Sequence, residues 1–210
     1  MNACIGIISY FPDNEHRAVR IARCAALIAK CKEVFAGLPI LIVAQNWRDE
    51  IPADGITVYP YAEALSIVGA RKELRKKFLE SGYDWIILFD DDCALEGTSG
   101  DGLRLLQALT QNPGKYLAKD NQFKLCAISR GIYSQFDIPA LSVEAGTGIE
   151  DMAYFAILAR SAPQARITGF EWGGLGDGSV WMNDAATTWH RQNIPQLVRN
   201  TKAYIDGLAG

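Results

Sequence analysis

The chain has 210 residues, of which 49% are hydrophobic and 21% are charged, and this composition is ordinary for one globular domain. The net charge of −3 at pH 7 argues against a broad polyanion-binding surface, so the charge indicates no nucleic-acid partner. No stretch approaches the roughly 18 apolar residues of a membrane span, and the N-terminus has no basic leader.

Strand and helix patterns alternate through the first half of the chain. This order predicts an α/β fold with a mostly parallel sheet flanked by helices. Strands are expected at 3–9, 39–44, 56–59 (an edge strand) and 85–89, and helices at about 12–35 and 63–81. One stripe of the first helix is apolar, and its basic residues should face outward: Arg17, Arg20, Arg23 and Lys30.

The second half has a different texture. We expect a helix at 103–109, a hairpin formed by 116–118 and 123–129, a helix at 150–159, a strand at 165–170 and a last helix at about 195–208. Residues 172–178 contain four glycines and should form a loop. No linker separates the halves, so we expect a single domain over 1–210.

Five cysteines are scattered along the chain and include no C-x-x-C pair. They are Cys4, Cys24, Cys31, Cys93 and Cys126. We expect reduced, mostly buried thiols and a cytoplasmic location.

Three adjacent carboxylates, Asp90, Asp91 and Asp92, follow the apolar run 83–89. A strand that is apolar on both faces is central in a sheet, and such strands present ligands at their carboxyl ends. Adjacent ionised carboxylates repel one another, and a divalent metal would offset that repulsion. Oxygen ligands favour Mg²⁺ or Mn²⁺. The alternative is a solvated acidic turn that closes the strand.

Three motifs together resemble the nucleotide-sugar glycosyltransferases of the GT-A fold, particularly the family 2-like inverting enzymes. The run Phe89-Asp90-Asp91-Asp92 resembles the D-x-D motif of that family, and Gly148-Ile149-Glu150-Asp151 resembles its E-D pair. The segment Gly69-Ala70-Arg71 resembles its G-x-A-R segment, although Lys72 stands where the family usually has asparagine. The resemblance implies a nucleotide-binding half at about 1–95 and a smaller mixed acceptor half at about 96–210.

The resemblance also implies a donor site that holds a nucleoside diphosphate sugar with Mn²⁺ or Mg²⁺, and UDP is the expected nucleotide. Asp92 would be the direct metal ligand, with Asp90 nearer the ribose and His190 as a second metal candidate. Tyr10 or Phe11 could stack on the base. The nucleotide-binding set is Ser9, Tyr10, Phe11, Gln45, Asn46, Arg71, Asp90 and Asp91. Packing of the aromatic rings and ordinary turn formation are the alternatives for residues 9–11, 45 and 46.

The same resemblance implies an inverting, hexosyltransferase-type enzyme in which Asp151 is the general base and Glu150 orients it or the acceptor. The alternative is that these two acids cap a helix N-terminus. Two other functions stay open, a nucleotidyltransferase that makes an activated sugar or alcohol, and a non-catalytic nucleotide- or carbohydrate-binding module. The acceptor hydroxyl could belong to a saccharide, a protein side chain, a small metabolite or a hydroxylated nucleobase.

Overall fold

The computed structural model describes residues 1–48, 51, 55–119, 123–139, 150–173, 175, 177–179, 198–199, 201–203 and 206–207. The strands are β1 (Ala3–Tyr10), β2 (Ile40–Gln45), β3 (Ile56–Tyr61), β4 (Trp85–Asp90), β5 (Cys93–Leu95), β6 (Tyr116–Ala118), β7 (Leu125–Ser129) and β8 (Asp177–Ser179). The helices are α1 (Arg17–Val34), α2 (Ile67–Ser81), α3 (Ser99–Thr110), α4 (Arg130–Gln135) and α5 (Glu150–Ser161), and a 3₁₀ turn spans Pro163–Ala165.

Six strands form one sheet in the order β3-β2-β1-β4-β7-β6. The pairs β1–β2, β2–β3 and β1–β4 are parallel, whereas β7 is antiparallel to both β4 and β6. The predicted α/β fold with a mostly parallel sheet is therefore confirmed, as is the central position of β4. Five strands have their carboxyl ends at the same end of this sheet, namely β1, β2, β3, β4 and β6.

Helices cover both faces of the sheet, which explains why β1, β2 and β4 are apolar on both sides. Ile87 and Phe89 of β4 pack on the face covered by α1 and α3. Ile86 and Leu88 pack on the opposite face, which α2, α4 and α5 cover. Because side chains alternate along a strand, consecutive residues after Phe89 are directed to opposite helix layers.

Several helices begin later or earlier than the apolar pattern indicated. The first helix starts at Arg17 rather than near residue 12. The second starts at Ile67 rather than 63, because the Ser66 side chain caps it by accepting from the Gly69 backbone N–H. The third begins at Ser99, four residues before the predicted start, because Thr98 and Asp101 form a capping box there.

The second half contains three further differences from the sequence prediction. The strand predicted at 165–170 is wrong, since a 3₁₀ turn ends at Ala165 and only Arg166 bridges to Tyr116. The glycine-rich segment 172–178 is not loop throughout, because Asp177–Ser179 pairs with β5. The short helix α4 was not predicted. The described parts of the last predicted helix, 198–199, 201–203 and 206–207, are helical.

All five cysteines are free thiols, and four of them are buried. Burial raises the pKa of Cys24 to about 12, so this thiol stays protonated at neutral pH.

The predicted hairpin of residues 116–118 with 123–129 is confirmed as β6 and β7. Within the described residues, none of the helices is long and apolar enough to cross a membrane.

Candidate active site at the carboxyl end of the central strand

The three carboxylates at the end of β4 have different partners. Asp90 is on the α2 side, where Arg71 Nη2 donates to its Oδ2 at 3.0 Å. Asp91 is on the α1 side and is anchored to β1 and α1. Asp92 is half-buried and forms no ion pair with the described residues. The cluster is therefore not one solvated acidic turn.

Asp91 is a structural anchor between β1, β4 and α1. Its Oδ2 accepts from Ser9 Oγ at 2.7 Å, and its Oδ1 accepts from Arg20 Nη1 at 2.9 Å. Burial raises the pKa of Asp91, and the attraction of Arg20 opposes that shift. The predicted outward orientation of Arg20 is wrong. Ser9 and Asp91, both expected to contact the nucleotide, use these side-chain atoms on each other.

Asp90 and Asp92 are the two carboxylates of the cluster that could bind a metal, and carboxylate oxygens fit a hard divalent cation. Asp90 Oδ1 is buried and has no hydrogen-bond partner among the described residues. Burial and repulsion from Asp90 and Asp91 raise the pKa of Asp92 to about 6. A cation would satisfy the orphaned oxygen and remove that repulsion.

No complete metal site is formed by protein side chains alone in the described part of the chain, where no three His, Cys, Asp or Glu residues are grouped to hold an ion. His190, the second predicted ligand, lies outside the described residues. Magnesium-type sites commonly complete their coordination with water and substrate phosphates, so two carboxylates are a sufficient protein contribution.

Arg71 joins the D-x-D strand to the E-D pair. Its Nε donates to Glu150 Oε1 at 2.8 Å, while Nη2 is bound to Asp90, and the guanidinium lies 4.7 Å from the centre of the Phe123 ring. Burial lowers the pKa of Arg71, but the attraction of Asp90 and Glu150 outweighs burial and raises it overall. The structure thus gives Arg71 two protein carboxylates as partners, where the sequence suggested the nucleotide.

The E-D pair occupies the first turn of α5, as the helix-capping alternative also required. Glu150 is only 1% exposed, and its Oε2 has no partner among the described residues. Asp151 is half-buried, and its Oδ1 accepts from the Met152 backbone N–H at 2.8 Å. Burial and the adjacent Glu150 raise the pKa of Asp151 to about 7. A carboxyl group that titrates near neutral pH is suited to general-base chemistry.

At the ends of β1 and β2, only part of the predicted nucleotide set is accessible. Tyr10 is 39% exposed, whereas Phe11 is fully buried and packs on Trp47 with ring centres 5.6 Å apart. Asn46 has φ 55° and donates through Nδ2 to the Phe11 carbonyl, so it fixes the turn. Gln45 Oε1 is buried without a partner among the described residues. Tyr10 is therefore the exposed residue of this set, whereas the unpartnered oxygen of Gln45 is itself buried.

The part of the site that sequence reasoning missed is the basic framework. Arg20 anchors Asp91, and Arg17 bridges the two loops by donating to the carbonyl oxygens of Phe11 and Asn46. Arg20 lies four residues before the buried Cys24, on the same stripe of α1. That spacing was the available indication that it faces the sheet.

No protein-family model matches the chain, and no curated protein matches it. Solved structures do match. A mannosyltransferase from Pyrobaculum calidifontis, in complex with GDP-Man and Mn²⁺, superimposes with a TM-score of 0.65 at 13% identity, over 98% of this chain and 64% of its own. A cytidylyltransferase from Leptospira borgpetersenii serovar Hardjo-bovis superimposes with a TM-score of 0.50 at 11% identity, over 78% of this chain and 73% of its own.

The chain therefore shares its α/β fold with this mannosyltransferase and this cytidylyltransferase. At these identities the likeness concerns the fold alone, and the site must be argued from its own residues.

Proposed function

We propose that this protein transfers a sugar from a nucleoside diphosphate sugar to an acceptor hydroxyl, with Mn²⁺ or Mg²⁺ at Asp90 and Asp92. The observation that carries the proposal is the bridge formed by Arg71 between Asp90 and Glu150. Through this bridge, Asp90 at the end of β4 lies close to the pair Glu150 and Asp151 at the start of α5. Burial and Glu150 raise the pKa of Asp151 to about 7. One site would therefore contain both the carboxylates that hold the metal for the leaving diphosphate and the carboxylate that removes the acceptor's proton.

The donor nucleotide would bind at the ends of β1 and β2. The exposed Tyr10 ring offers a stacking surface for a base. We expect UDP as the nucleotide. GDP belongs in the same comparison, because the mannosyltransferase of the same fold was solved with GDP-Man.

The metal would be held by Asp90 and Asp92, with His190 as a further candidate ligand, and when bound it supplies positive charge for the departing diphosphate. Asp91 does not need to bind it. The contacts of Asp91 with Ser9 and Arg20 fix the backbone after β4 and would thereby hold Asp90 and Asp92 in position.

In the transfer step, the acceptor oxygen forms a bond to the anomeric carbon as the bond from that carbon to the phosphate oxygen breaks. The nucleoside diphosphate leaves with the electron pair of the broken bond, and the hydroxyl proton passes to Asp151. Attack opposite the leaving group inverts the anomeric centre. Glu150, held by Arg71, keeps the start of α5 in position and raises the basicity of Asp151 by its charge.

Calorimetry with UDP, GDP and CDP, each with and without Mn²⁺, tests the donor site, and donor hydrolysis or transfer tests catalysis. Asp92→Asn should abolish the metal-dependent part of nucleotide binding. Asp84→Asn is the matched control, since Asp84 is an exposed acid that precedes the other end of the same strand. Nucleotide affinity that Mn²⁺ does not change in the wild type, or a Mn²⁺-dependent part of binding that survives in Asp92→Asn, would refute the metal assignment.

The same measurements distinguish glycosyl transfer from the two alternative functions, nucleotidyl transfer and non-catalytic binding. Tight binding of a nucleoside triphosphate with release of pyrophosphate would replace this proposal with a nucleotidyltransferase. Nucleotide or sugar binding with no turnover of any donor would indicate a non-catalytic binding module.

A further inference from the structure

A cavity of about 320 Å³ lies beside β6, the last strand in the sheet order, where Arg166 bridges to Tyr116. This volume falls within the roughly 300–1,000 Å³ of small-molecule sites. Its lining combines the edge strand with the segment that follows the 3₁₀ turn. The lining includes Leu117, Arg166, Ile167, Thr168, Phe170 and Trp172.

Two aromatic rings form one wall of the cavity. Phe170 and Trp172 are half-buried and pack edge to face, with ring centres 5.3 Å apart. Buried Leu117 and Ile167 add apolar surface. A flat ligand with an apolar face, such as the C–H face of a sugar ring, matches this wall because aromatic faces favour contacts of that shape.

The cavity also contains a positive charge that no described carboxylate neutralises. Arg166 is half-buried, and none of its contacts within the described residues is an ion pair or side-chain hydrogen bond. Removing a guanidinium from water without a partner is unfavourable, and an anionic ligand would offset that cost. The exposed Thr168 on the same segment can donate a further hydrogen bond to an anion.

The cavity lies beside β6, whose carboxyl end is at the same end of the sheet as the carboxyl end of β4. Strands β6 and β4 are both antiparallel to β7, so they run in the same direction. Two strand spacings place the end of β6 about 10 Å across the sheet from the end of β4. The cavity is on the face that α1 and α3 cover, since Leu117 and Ile167 pack there with Ile87. Helix α5, which begins with Glu150 and Asp151, covers the opposite face, so an acceptor in the cavity would reach Asp151 over the carboxyl end of the sheet.

We propose that this cavity binds the acceptor, and that the acceptor is a sugar carrying a phosphate or carboxylate group. This inference rests on the proposed glycosyl transfer, whose acceptor it specifies. Arg166 binds the anionic group and Trp172 stacks against the ring. A neutral sugar would offer Arg166 no opposite charge and would bind more weakly.

Calorimetry on the full chain without nucleotide tests the site with three probes, glucose 6-phosphate, glucuronate and glucose. The first two distinguish phosphate from carboxylate. We expect at least one anionic sugar to bind, and Arg166→Gln to weaken it about 10- to 100-fold through loss of a charge-assisted hydrogen bond. Arg166→Lys should retain part of the affinity. Arg160→Gln, an exposed arginine on α5 outside the cavity lining, should have no effect.

The anionic sugar that binds should also accept a sugar from the donor, with KM raised in Arg166→Gln and kcat little changed. Equal affinity of wild type and a folded Arg166→Gln, or no binding of either anionic probe, would overturn the inference. Donor hydrolysis and UDP or GDP binding are measured in parallel. Their persistence without anionic-sugar binding removes only this inference, whereas anionic-sugar binding without any donor activity removes the proposed transfer and with it the acceptor role.

Discussion

Arg71 Nε donates to Glu150 Oε1 at 2.8 Å, and this contact joins two helices 79 residues apart in the chain. Both side chains are buried, with 5% and 1% of their surface exposed. The same guanidinium holds Asp90, so one side chain sets the spacing between the end of β4 and the start of α5. The site is therefore a part of the buried framework rather than an addition to the surface.

Arg71→Met should lower the free energy of unfolding by about 3–5 kcal/mol, because it leaves two carboxylates without their buried cation. Lys72→Met is the matched control. Lys72 is 37% exposed and lies 3.6 Å from Asp137, so its loss should cost less than about 1 kcal/mol. Urea unfolding of the three proteins measures both differences.

The double variant Arg71→Met with Glu150→Gln should be more stable than the sum of the two single changes indicates, because the second change removes a charge that the first leaves unpaired. Additive losses would show that the contact contributes little to folding.

Substitutions at Asp91 and Asp92 should have different effects, the first on folding stability and the second on metal binding. Asp91→Asn weakens the contacts with Ser9 and Arg20 and should lower the urea midpoint, leaving much of the Mn²⁺ affinity in the folded protein. Asp92→Asn should do the reverse, since this side chain forms no ion pair with the residues that the structure describes. Mn²⁺ titration and urea unfolding of each variant give the comparison. Loss of Mn²⁺ binding in Asp91→Asn alone would reverse the two roles.

The sheet could be predicted because its strands are buried on both faces and its helices have clear apolar stripes. Helix starts could not, because they depend on single capping contacts such as the one made by Ser66. The strand Asp177–Ser179 was missed because glycines obscure the pattern and its pairing partner Cys93–Leu95 is far away in sequence.

The acids of the candidate site were also visible in the sequence, whereas their separate partners were not. Which of three adjacent carboxylates faces α1 follows from strand alternation, but only after the strand's end at Asp90 and the position of Arg20 are known. Similarly, a tyrosine and a phenylalanine in succession, Tyr10 and Phe11, look equivalent until the strand is placed in the sheet.

Tyr10→Ala and Phe11→Ala should have opposite effects. Tyr10 is exposed, so its loss should weaken nucleotide binding by about 1–3 kcal/mol, the usual contribution of base stacking, with little change in stability. Phe11 is buried against Trp47, so its loss should cost about 3–5 kcal/mol of folding free energy. Calorimetry with UDP and thermal unfolding measure the two effects. Unchanged nucleotide affinity in Tyr10→Ala would exclude the stacking role.

Stability should fall as the pH rises through the range in which Asp151 titrates. Burial and Glu150 raise its pKa from the ordinary 3.8 to about 7, so the folded protein holds this proton more tightly than the unfolded chain does. The resulting stabilisation is present below about pH 4 and is lost as the pH approaches 7. Urea unfolding between pH 5 and 8 should show a smaller decline in Asp151→Asn, with Asp84→Asn as the control. Identical declines in all three proteins would contradict the assignment.

The general-base role of Asp151 predicts a rate that increases with pH through about 7, since only the ionised carboxylate accepts the acceptor's proton. Asp151→Asn keeps the shape of the side chain and can still accept the Met152 N–H bond, but it cannot take a proton. Turnover should fall about 10²- to 10⁴-fold and lose this pH-dependent limb, while nucleotide affinity changes little. Near-wild-type turnover would instead indicate that Asp151 only stabilises the start of α5, and Glu150 would be the carboxylate left to test.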